Sequence, residues 1–311
     1  MIYININTKK LRGNLLLLLA AMIWGTTFVA QSMGMDYPIS AFTFNGMRNM
    51  LGCLALLPVV AVGNAVKKRA GKPYQDDHKQ LFRGGLFCGL ALFCASSLQQ
   101  YAFIYSTVGK IGFITALYMI FVPLLGMFVK KKAPPIVWVS VFIAGFGMYL
   151  LCVSGSLALN RGDLLSLGCA IGFAVHILCV DRFSKTVDCV KLSCAQFFVA
   201  GILSIACMFL FGSPKPELSP IIGALPHIVY AGIVSSGIAF TLQIVGQKHT
   251  EPAIASMLMC LESVFSVFSG WLFLSQSMSY RELGGCAVMF FAIILAQLPD
   301  TIPRLKALQD L

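Results

Sequence analysis

The chain has 311 residues, of which 58% are hydrophobic and only 11% are charged, whereas a soluble domain averages about 25% charged residues. With a mean hydropathy of +0.83, this composition excludes a soluble globular domain, a disordered chain, a disulfide scaffold and a nucleic-acid-binding domain. The chain is therefore a polytopic membrane protein, in which each crossing takes an apolar segment of about 20 residues. The meaning of its net charge of +11 depends on where the basic residues lie between these segments.

Ten membrane-spanning helices are predicted from stretches that carry no Lys, Arg, Asp or Glu. In chain order these stretches are Gly13–Met35, Asn49–Val66, Gly84–Gly109, Ile111–Val129, Ala133–Asn160, Leu164–Val180, Leu192–Pro214, Leu218–Gln247, Pro252–Tyr280 with Glu262 inside it, and Leu283–Pro299. The second helix is extended to about Ser40–Val62, across Arg48. The runs are continuously apolar and do not alternate as barrel strands would, so we predict an all-α integral membrane protein.

The distribution of Lys and Arg predicts the orientation of these helices. With the N-terminus inside, 18 basic residues fall on the inner side, whereas the outer loops carry only Lys110, Arg161, Lys215 and Arg281. Because cytoplasmic loops are enriched in Lys and Arg, both termini are predicted to be cytoplasmic. The positive charge is then mainly a topology signal and does not indicate a nucleic-acid partner. The first apolar run is too long for a signal peptide, so it is expected to be retained.

The middle of the chain divides the sequence into two halves. Five predicted spans precede the linker Ser154–Gly162 and five follow it, so similar halves must lie in opposite orientations. A shift of 144 residues pairs Leu98 and Gln99 with Leu242 and Gln243, Leu117 with Leu261, Phe121 with Phe265, and Gly126 with Gly270. We therefore predict two inverted five-helix repeats, residues 13–153 and 162–300. Such repeats are common in secondary transporters, whose substrate site lies near the midplane.

Short motifs in both halves carry a family resemblance. They are Trp24-Gly25-Thr26-Thr27-Phe28, Arg48, Gly112-Phe113-Ile114-Thr115-Ala116-Leu117-Tyr118 leading to Pro123, Gly162-Asp163-Leu164-Leu165, Leu261-Glu262-Ser263-Val264-Phe265, and Gly284. In this order and spacing they resemble the drug/metabolite transporter (DMT) superfamily, EamA type, over about residues 13–300. The chain departs from the family pattern at Phe173, where Trp is frequent, and at Ser263, where Pro is usual. The second departure leaves open whether the ninth helix is kinked.

The resemblance implies ten helices in two five-helix repeats and a secondary transporter of small metabolites, commonly amino acids or related solutes. It implies a multi-pass protein of the cytoplasmic membrane whose partners are the lipid bilayer, a small-molecule solute and, where transport is coupled, protons. It implies neither an enzyme nor a cofactor. The substrate, the direction of transport, the energy coupling and the oligomeric state are left open by the sequence.

Two charged residues lie well inside predicted spans, Arg48 and Glu262. An ionisable group there costs about 2.5–3.5 kcal/mol on insertion scales, so each needs an explanation. Arg48 either binds a substrate carboxylate or phosphate with its planar fork, or pairs with a carbonyl or acid between helices, or snorkels to the surface. Glu262 either takes up and releases a proton during alternating access, or makes a fixed hydrogen bond that holds the ninth helix in register.

Polar and aromatic residues on the same helices and their neighbours are further candidates for binding the substrate. They are Trp24, Thr27, Asn45, Asn49, Gln99, Tyr101, Tyr118 and Gln243. Under the shift of 144 residues, Tyr118 is the counterpart of Glu262. Such side chains suit a polar, partly apolar solute, but hydrogen bonds between helices would use the same residue types. His176, in the sixth predicted span, is either a proton relay or a satisfied interior histidine.

Two other classes of membrane protein are compatible with the sequence. A non-transporting channel or accessory protein would have the same spans, and saturable flux with counterflow would distinguish a carrier from it. A membrane-embedded enzyme would need an acid and His constellation, for which Asp76-Asp77-His78 is the one candidate and is most simply a solvated turn. The sequence contains no Gly-rich phosphate-binding loop, so an ATP-driven pump is not predicted. It contains no cluster of His, Cys and acidic residues at ligand spacing, so a metal site is not predicted either.

Overall fold

The computed structural model describes residues 8–71, 77–106, 108–130, 133–152, 160–274 and 279–301, and within these ranges it contains helices and no strand. The helices are α1 (Thr8–Met35), α2 (Ala41–Arg69), α3 (His78–Ala102), α4 (Val108–Ala116), α5 (Tyr118–Phe128), α6 (Pro135–Cys152), α7 (Arg161–Phe183), α8 (Cys189–Phe211), α9 (Leu218–Val229), α10 (Thr241–Gln247), α11 (Pro252–Met259), α12 (Glu262–Leu274) and α13 (Tyr280–Thr301). A π-helical segment, Tyr230–Phe240, joins α9 to α10 without a break.

Eight single helices or runs of consecutive helices in the described residues are long and apolar enough to cross a membrane. They are Thr8–Met35, Ala41–Arg69, His78–Ala102, Val108–Phe128, Arg161–Phe183, Cys189–Phe211, Leu218–Gln247 and Pro252–Ser269. The apolar parts of α6 and α13, Pro135–Leu150 and Leu283–Ala296, are shorter. The predicted all-α membrane class is thus confirmed, whereas the count of ten spans stays a prediction.

Side chains at the helix starts explain where several helices begin. The Asn160 side chain accepts a hydrogen bond from the Asp163 backbone N–H at 2.9 Å, and the Asp163 carboxylate accepts one from the Asn160 backbone N–H. This reciprocal capping satisfies N–H groups that the first turn of α7 leaves free. Asp77 caps α3 from one side only, by accepting from the N–H groups of Lys79 and Gln80. Asp77 is therefore a helix cap, and Asp76 lies outside the described residues.

The helices pack through small residues, as expected where lipid and protein interior are equally apolar. The main packed pairs are α2 with α8, α3 with α7 and α8, α6 with α13, and α1 with α12. At the α1 and α12 crossing, a Cβ added to Gly25 would lie 2.4 Å from the Cβ of Phe265, so only glycine fits. The largest buried apolar cluster joins both halves of the chain, with Met119 and Val122 beside Met257 and Val264.

Two membrane-spanning helices are broken at their centres. The first break is at Leu117, between α4 and α5, and the second is at Cys260–Leu261, between α11 and α12. The break residues make matching short turns, because the Leu117 N–H donates to the Ile114 carbonyl at 3.2 Å and the Leu261 N–H donates to the Leu258 carbonyl at 3.3 Å. The ninth predicted span is therefore broken although Ser263 stands where a proline would favour a kink.

Candidate functional site

A small cavity of about 40 Å³ lies between the two helix breaks. Its walls come from both halves of the chain and combine two charged side chains, four uncharged polar ones, a tyrosine, and six apolar or aromatic groups. The lining residues are Trp24, Phe28, Gln31, Arg48, Gln99, Tyr118, Phe173, Ile177, Ser235, Phe240, Gln243, Met259 and Glu262. The two charged residues singled out by the sequence therefore line one cavity.

Arg48 lies on a buried polar face of α2 and is 2% exposed. Its Nε and Nη1 have no hydrogen-bond partner within the described residues. No carboxylate in that part of the chain forms an ion pair with it. A guanidinium that is buried without a counter-charge is costly, and an anion in the cavity would supply both the charge and the acceptors that it lacks.

Glu262 begins α12 and contacts the residue that begins α5. The Tyr118 hydroxyl donates to Glu262 Oε1 at 3.2 Å, and both side chains are buried. The next residue, Ser263, donates from Oγ to the Gly112 carbonyl of α4 at 3.3 Å. The two broken helices are thus joined to each other at their centres. Half-helix N-termini at a cavity are a usual way to bind substrate groups in transporters.

Buried amides form a second polar wall. Gln31 Nε2 donates to Gln100 Oε1 at 2.9 Å and lies 3.4 Å from Gln99 Oε1. On the other side of the cavity, Gln243 Nε2 donates to Gln247 Oε1 at 3.0 Å. The Gln243 Oε1 atom is buried without a donor in the described part of the chain. This oxygen is available to accept a hydrogen bond from a solute.

Aromatic rings complete the lining. Trp24 meets Phe240 edge to face, with ring centroids 4.8 Å apart. Phe173 lies between Tyr118 and His176, with each pair of ring centroids 6.5 Å apart. The position at which the family often has Trp is therefore a wall of the cavity. Aromatic edges and faces provide the apolar contact area that a small organic solute requires.

Five of the sequence candidates lie away from this cavity. The hydroxyl of Thr27 donates to the Ile23 carbonyl of its own helix, and Tyr101 packs against Phe42. His176 hydrogen-bonds Gln196 at 2.9 Å, behind Phe173 and Phe240. Two more are buried asparagines on the Arg48 face of α2: Asn45, which donates to the Ser96 carbonyl at 2.9 Å, and Asn49. Trp24, Arg48, Gln99, Tyr118, Gln243 and Glu262 do line the cavity.

Several lining residues were not named as candidates from the sequence. They are Phe28, Phe173, Ile177, Ser235, Phe240 and Met259. Gln31 also lines the cavity, and its spacing of two helical turns from Trp24 places it on the same face of α1 from the sequence alone. Ser235 and Phe240 could not, because they belong to the π-helical segment, where the usual helical period no longer tells which residues share a face.

The central cavity is too small in this structure to hold a small organic solute. Pockets that hold small organic ligands measure about 300–1,000 Å³, whereas one water needs only about 10–15 Å³ of this kind of volume. The cavity of 40 Å³ therefore has room for a few waters at most. Within the described residues, no group of His, Cys, Asp and Glu is placed to hold a metal ion.

Comparison with known proteins identifies the family. The EamA-like transporter family matches the chain twice, over residues 11–153 and again over residues 160–298. The chain belongs to this family. It is a multi-pass membrane protein of the drug/metabolite transporter group, in agreement with the resemblance seen in its motifs.

Individual relatives are similar over most of their length. An uncharacterized transporter of Archaeoglobus fulgidus is 28% identical over 291 residues, which is 93% of this chain and 87% of the relative. The uncharacterized transporter YoaV of Bacillus subtilis is 20% identical over 88% of this chain and 92% of its own. The protein PecM of Dickeya dadantii is 24% identical over 73% of this chain and 74% of its own.

A solved crystal structure supports the fold. It superimposes with a TM-score of 0.73 at 19% sequence identity and covers 92% of this chain and 96% of the other. At this level of identity the likeness concerns the fold alone.

Proposed function

We propose that this chain is a secondary transporter that moves a small metabolite, an amino acid or a related solute, across the cytoplasmic membrane by alternating access. The observation that carries the proposal is the small central cavity at the meeting point of two broken helices. It is lined by a buried Glu262 and by a buried Arg48 that has no ion-pair partner within the described residues. Charged groups at this depth are costly and are kept in membrane proteins mainly where substrates or ions pass.

The proposed architecture has ten spans, arranged as inverted repeats of residues 13–153 and 162–300, with both termini cytoplasmic. The two separate family matches support this division. The helix breaks support it too, because Leu117 and Leu261 differ by the same 144 residues as Tyr118 and Glu262. The two shorter apolar helices, α6 and α13, pack against each other, and membranes adapt to short spans by local thinning.

Two matching contacts at opposite ends of the bundle support alternation between the repeats. At one end, Thr250 Oγ1 donates to Asn14 Oδ1 at 2.9 Å, and Gly13 lies so close that an added Cβ would be 2.9 Å from the Gly246 carbonyl oxygen. We call this the Asn14 latch. It ties the start of α1 to the end of α10.

At the other end, Ser106 Oγ donates to Asp163 Oδ1 at 3.1 Å, and Lys110 Nζ lies 2.6 Å from Asp163 Oδ2. We call this the Asp163 latch. Here Gly162 approaches Ala102 and Ser106, which are the repeat counterparts of Gly246 and Thr250 under the 144-residue shift. Opening one latch while the other stays closed would expose the central cavity to one side of the membrane at a time.

In the proposed mechanism, Arg48 binds the carboxylate or phosphate of the solute, and Gln99, Gln243 and the ring of Trp24 contact the rest of it. Glu262 exchanges a proton as the cavity opens to either side, and Tyr118 orients its carboxyl group. Thr27, Asn45, Asn49, Tyr101 and His176 support the helices that carry the site. Coupling to the proton gradient follows if the charge of Glu262 must be neutralised before the cavity can close.

Flux into liposomes that contain the purified protein tests the proposal. Labelled amino acids should enter saturably and show counterflow, because a carrier, unlike a channel, exchanges solute across alternating states. Arg48→Gln should weaken solute binding by about 10- to 100-fold, the value of a hydrogen-bonded charge, whereas Arg182→Gln on the exposed surface should not. Flux without saturation or counterflow, or equal flux by Arg48→Gln, would contradict the proposal.

Proton coupling is tested by Glu262→Gln, which preserves the size of the side chain and removes its charge. The expected result is that a pH gradient no longer drives accumulation, while exchange of solute at equal pH continues. Glu217→Gln, at an exposed helix start, is the matched control. Unchanged pH dependence in Glu262→Gln would leave Glu262 with a structural role alone.

A further inference from the structure

A second, larger cavity of about 400 Å³ lies at the end of the bundle that carries most of the basic residues. Its buried walls are apolar and include Val122, Pro123 and Pro252. Its exposed rim is basic, with the side chains of Lys130, Lys185, Lys248 and His249, and one acid, Glu251. It shares no lining residue with the central cavity. We call it the basic cavity.

The basic groups reach this cavity from different parts of the chain. Lys130 follows α5, Lys185 follows α7, and Lys248 and His249 follow α10. Lys185 is neutralised by Asp181, at 2.5 Å. Lys130 and Lys248, in contrast, form no ion pair with any residue that the structure describes. Two uncompensated ammonium groups therefore converge on one concave surface.

The backbone at Lys130 is held in a conformation that L-residues avoid. Its φ is 59°, in the left-handed region where glycine usually ends a helix. A side-chain-bearing residue there costs about 1–2 kcal/mol. The side chain of Lys130 lines the basic cavity.

The local electrostatic potential is positive. The pKa of His249 is held below its ordinary value, first by burial and then by the charges of Lys248, Lys9 and Arg12. The N-terminus of α11 adds to this potential, since Pro252 and Ala253 of its first turn line the cavity and the Glu251 side chain does not cap the helix. An anion bound there would be attracted both by the positive side chains and by the positive end of the helix dipole.

We propose that the basic cavity binds the phosphate group of an anion, either the headgroup of an acidic phospholipid or a soluble phosphate. Lys130 and Lys248 supply the main charges, His249 and the start of α11 add donors, and the apolar walls accept the adjoining carbon chain. Basic pockets between helices at the cytoplasmic face of membrane proteins commonly bind such headgroups. In the proposed orientation the basic cavity lies on the cytoplasmic side of the membrane. Binding of the anion does not depend on that orientation or on transport.

The test measures the apparent Tm of the full chain in nanodiscs, because an anion that binds the folded state raises it. One arm adds inorganic phosphate to phosphatidylcholine nanodiscs, with chloride at equal ionic strength as the reference. The other arm replaces part of the phosphatidylcholine with phosphatidylglycerol. Each arm compares the wild type with Lys130→Gln/Lys248→Gln and with a control of equal charge loss outside the cavity, Lys68→Gln/Lys79→Gln.

The double variant Lys130→Gln/Lys248→Gln should need at least about tenfold more phosphate or phosphatidylglycerol for the same rise in Tm, since each charge near a membrane surface contributes a factor of about five. The control should behave as the wild type. Glu251→Gln should bind more tightly, and it keeps every lysine in case the double variant does not fold. A response to phosphate identifies a soluble anion, and a response to phosphatidylglycerol alone identifies a lipid. Equal losses in the two double variants, or no response in either arm, would overturn the proposal.

Discussion

The contact between Tyr118 and Glu262 is explained by the proposed inverted repeat. The two residues are counterparts under the shift of 144 residues, and each begins a half-helix after a break. Counterparts of an inverted repeat lie close together only near its axis, so in the proposed architecture their hydrogen bond marks the place where the halves cross. Both side chains are buried, and this is the one side-chain hydrogen bond that either makes within the described residues.

Tyr118→Phe should therefore destabilise the protein although it removes a single oxygen. The expected loss is about 1–3 kcal/mol, since the Glu262 carboxyl would be left buried without its donor. Thermal unfolding in detergent measures this loss. Tyr105→Phe, whose ring is exposed, is the control and should leave Tm unchanged. A Tyr118→Phe protein as stable as the wild type would show that the hydroxyl contributes nothing to the site.

Asp188 combines a helix cap with an ion pair at the start of α8. Its Oδ1 accepts from the N–H groups of Val190 and Lys191, and its Oδ2 lies 2.7 Å from Lys67 Nζ. Burial alone would raise the pKa of Asp188, but Lys67 and the two N–H groups outweigh it and hold the pKa below its ordinary value. Its contribution to stability is therefore present above the ordinary pKa of Asp and disappears as the pH falls through the lowered value.

Asp188→Asn should separate the charge from the cap, because an amide still accepts from the helix N–H groups. The expected loss at neutral pH is below about 1 kcal/mol, since the pair is partly exposed and screened by solvent and salt. Asp188→Ala should lose about 1 kcal/mol more with the cap. Thermal unfolding across pH measures both, and the wild type and Asp188→Asn should converge in acid. A difference that is constant with pH would rule out the ion pair as its source.

At the scale of elements, the two latches join different helices at opposite ends of the bundle. The Asn14 latch connects α1 to α10, and the Asp163 latch connects α7 to the link between α3 and α4. Both contacts are formed in this structure, and the cavity between them, of about 40 Å³, has room for only a few waters. If transport alternates, weakening one latch should favour the state in which the other is closed.

Thr250→Val removes the hydroxyl of the Asn14 latch at constant volume and tests this coupling. Losing one hydrogen bond of about 1 kcal/mol should shift the balance of states about fivefold. Hydrogen exchange should then become faster at residues 248–251 and slower at residues 102–106. Asp163→Asn, which weakens the other latch, should produce the reverse pattern. Faster exchange at the mutated end alone would mean that the latches are independent and that no alternation links them.

The elements differ in how far the sequence could predict them. The uncharged stretch Leu218–Gln247 coincides with one continuous helical run, because desolvated charges are excluded from a span wherever no function needs them. The direction of side chains was harder to predict. Gln99 lines the cavity while Tyr101, two residues later, packs against Phe42. In a soluble helix the apolar face shows the interior, but in a membrane both the lipid and the interior are apolar, so that signal is weak.

At the scale of the whole molecule, the crossing of α6 determines the orientation of the second half. If α6 spans the membrane, α7 begins outside and ends inside, and Arg182, Lys185 and Lys248 all lie on the cytoplasmic side. If α6 and α13 do not span, the second half is turned over and these residues lie outside. Basic residues favour cytoplasmic loops, so their distribution favours the crossing.

Single cysteines in a chain whose native cysteines are replaced decide between these two arrangements. Thr186→Cys, in the turn after α7, and Ser213→Cys, in the turn after α8, are both exposed positions. With ten spans, an impermeant maleimide applied to intact cells should label Cys at 213 and not at 186, since the turns lie on opposite sides. Opening the cells should then expose position 186 as well. The reverse pattern in intact cells would show that α6 does not cross, and the inverted repeat would fail with it, because two halves of four spans would lie in the same orientation.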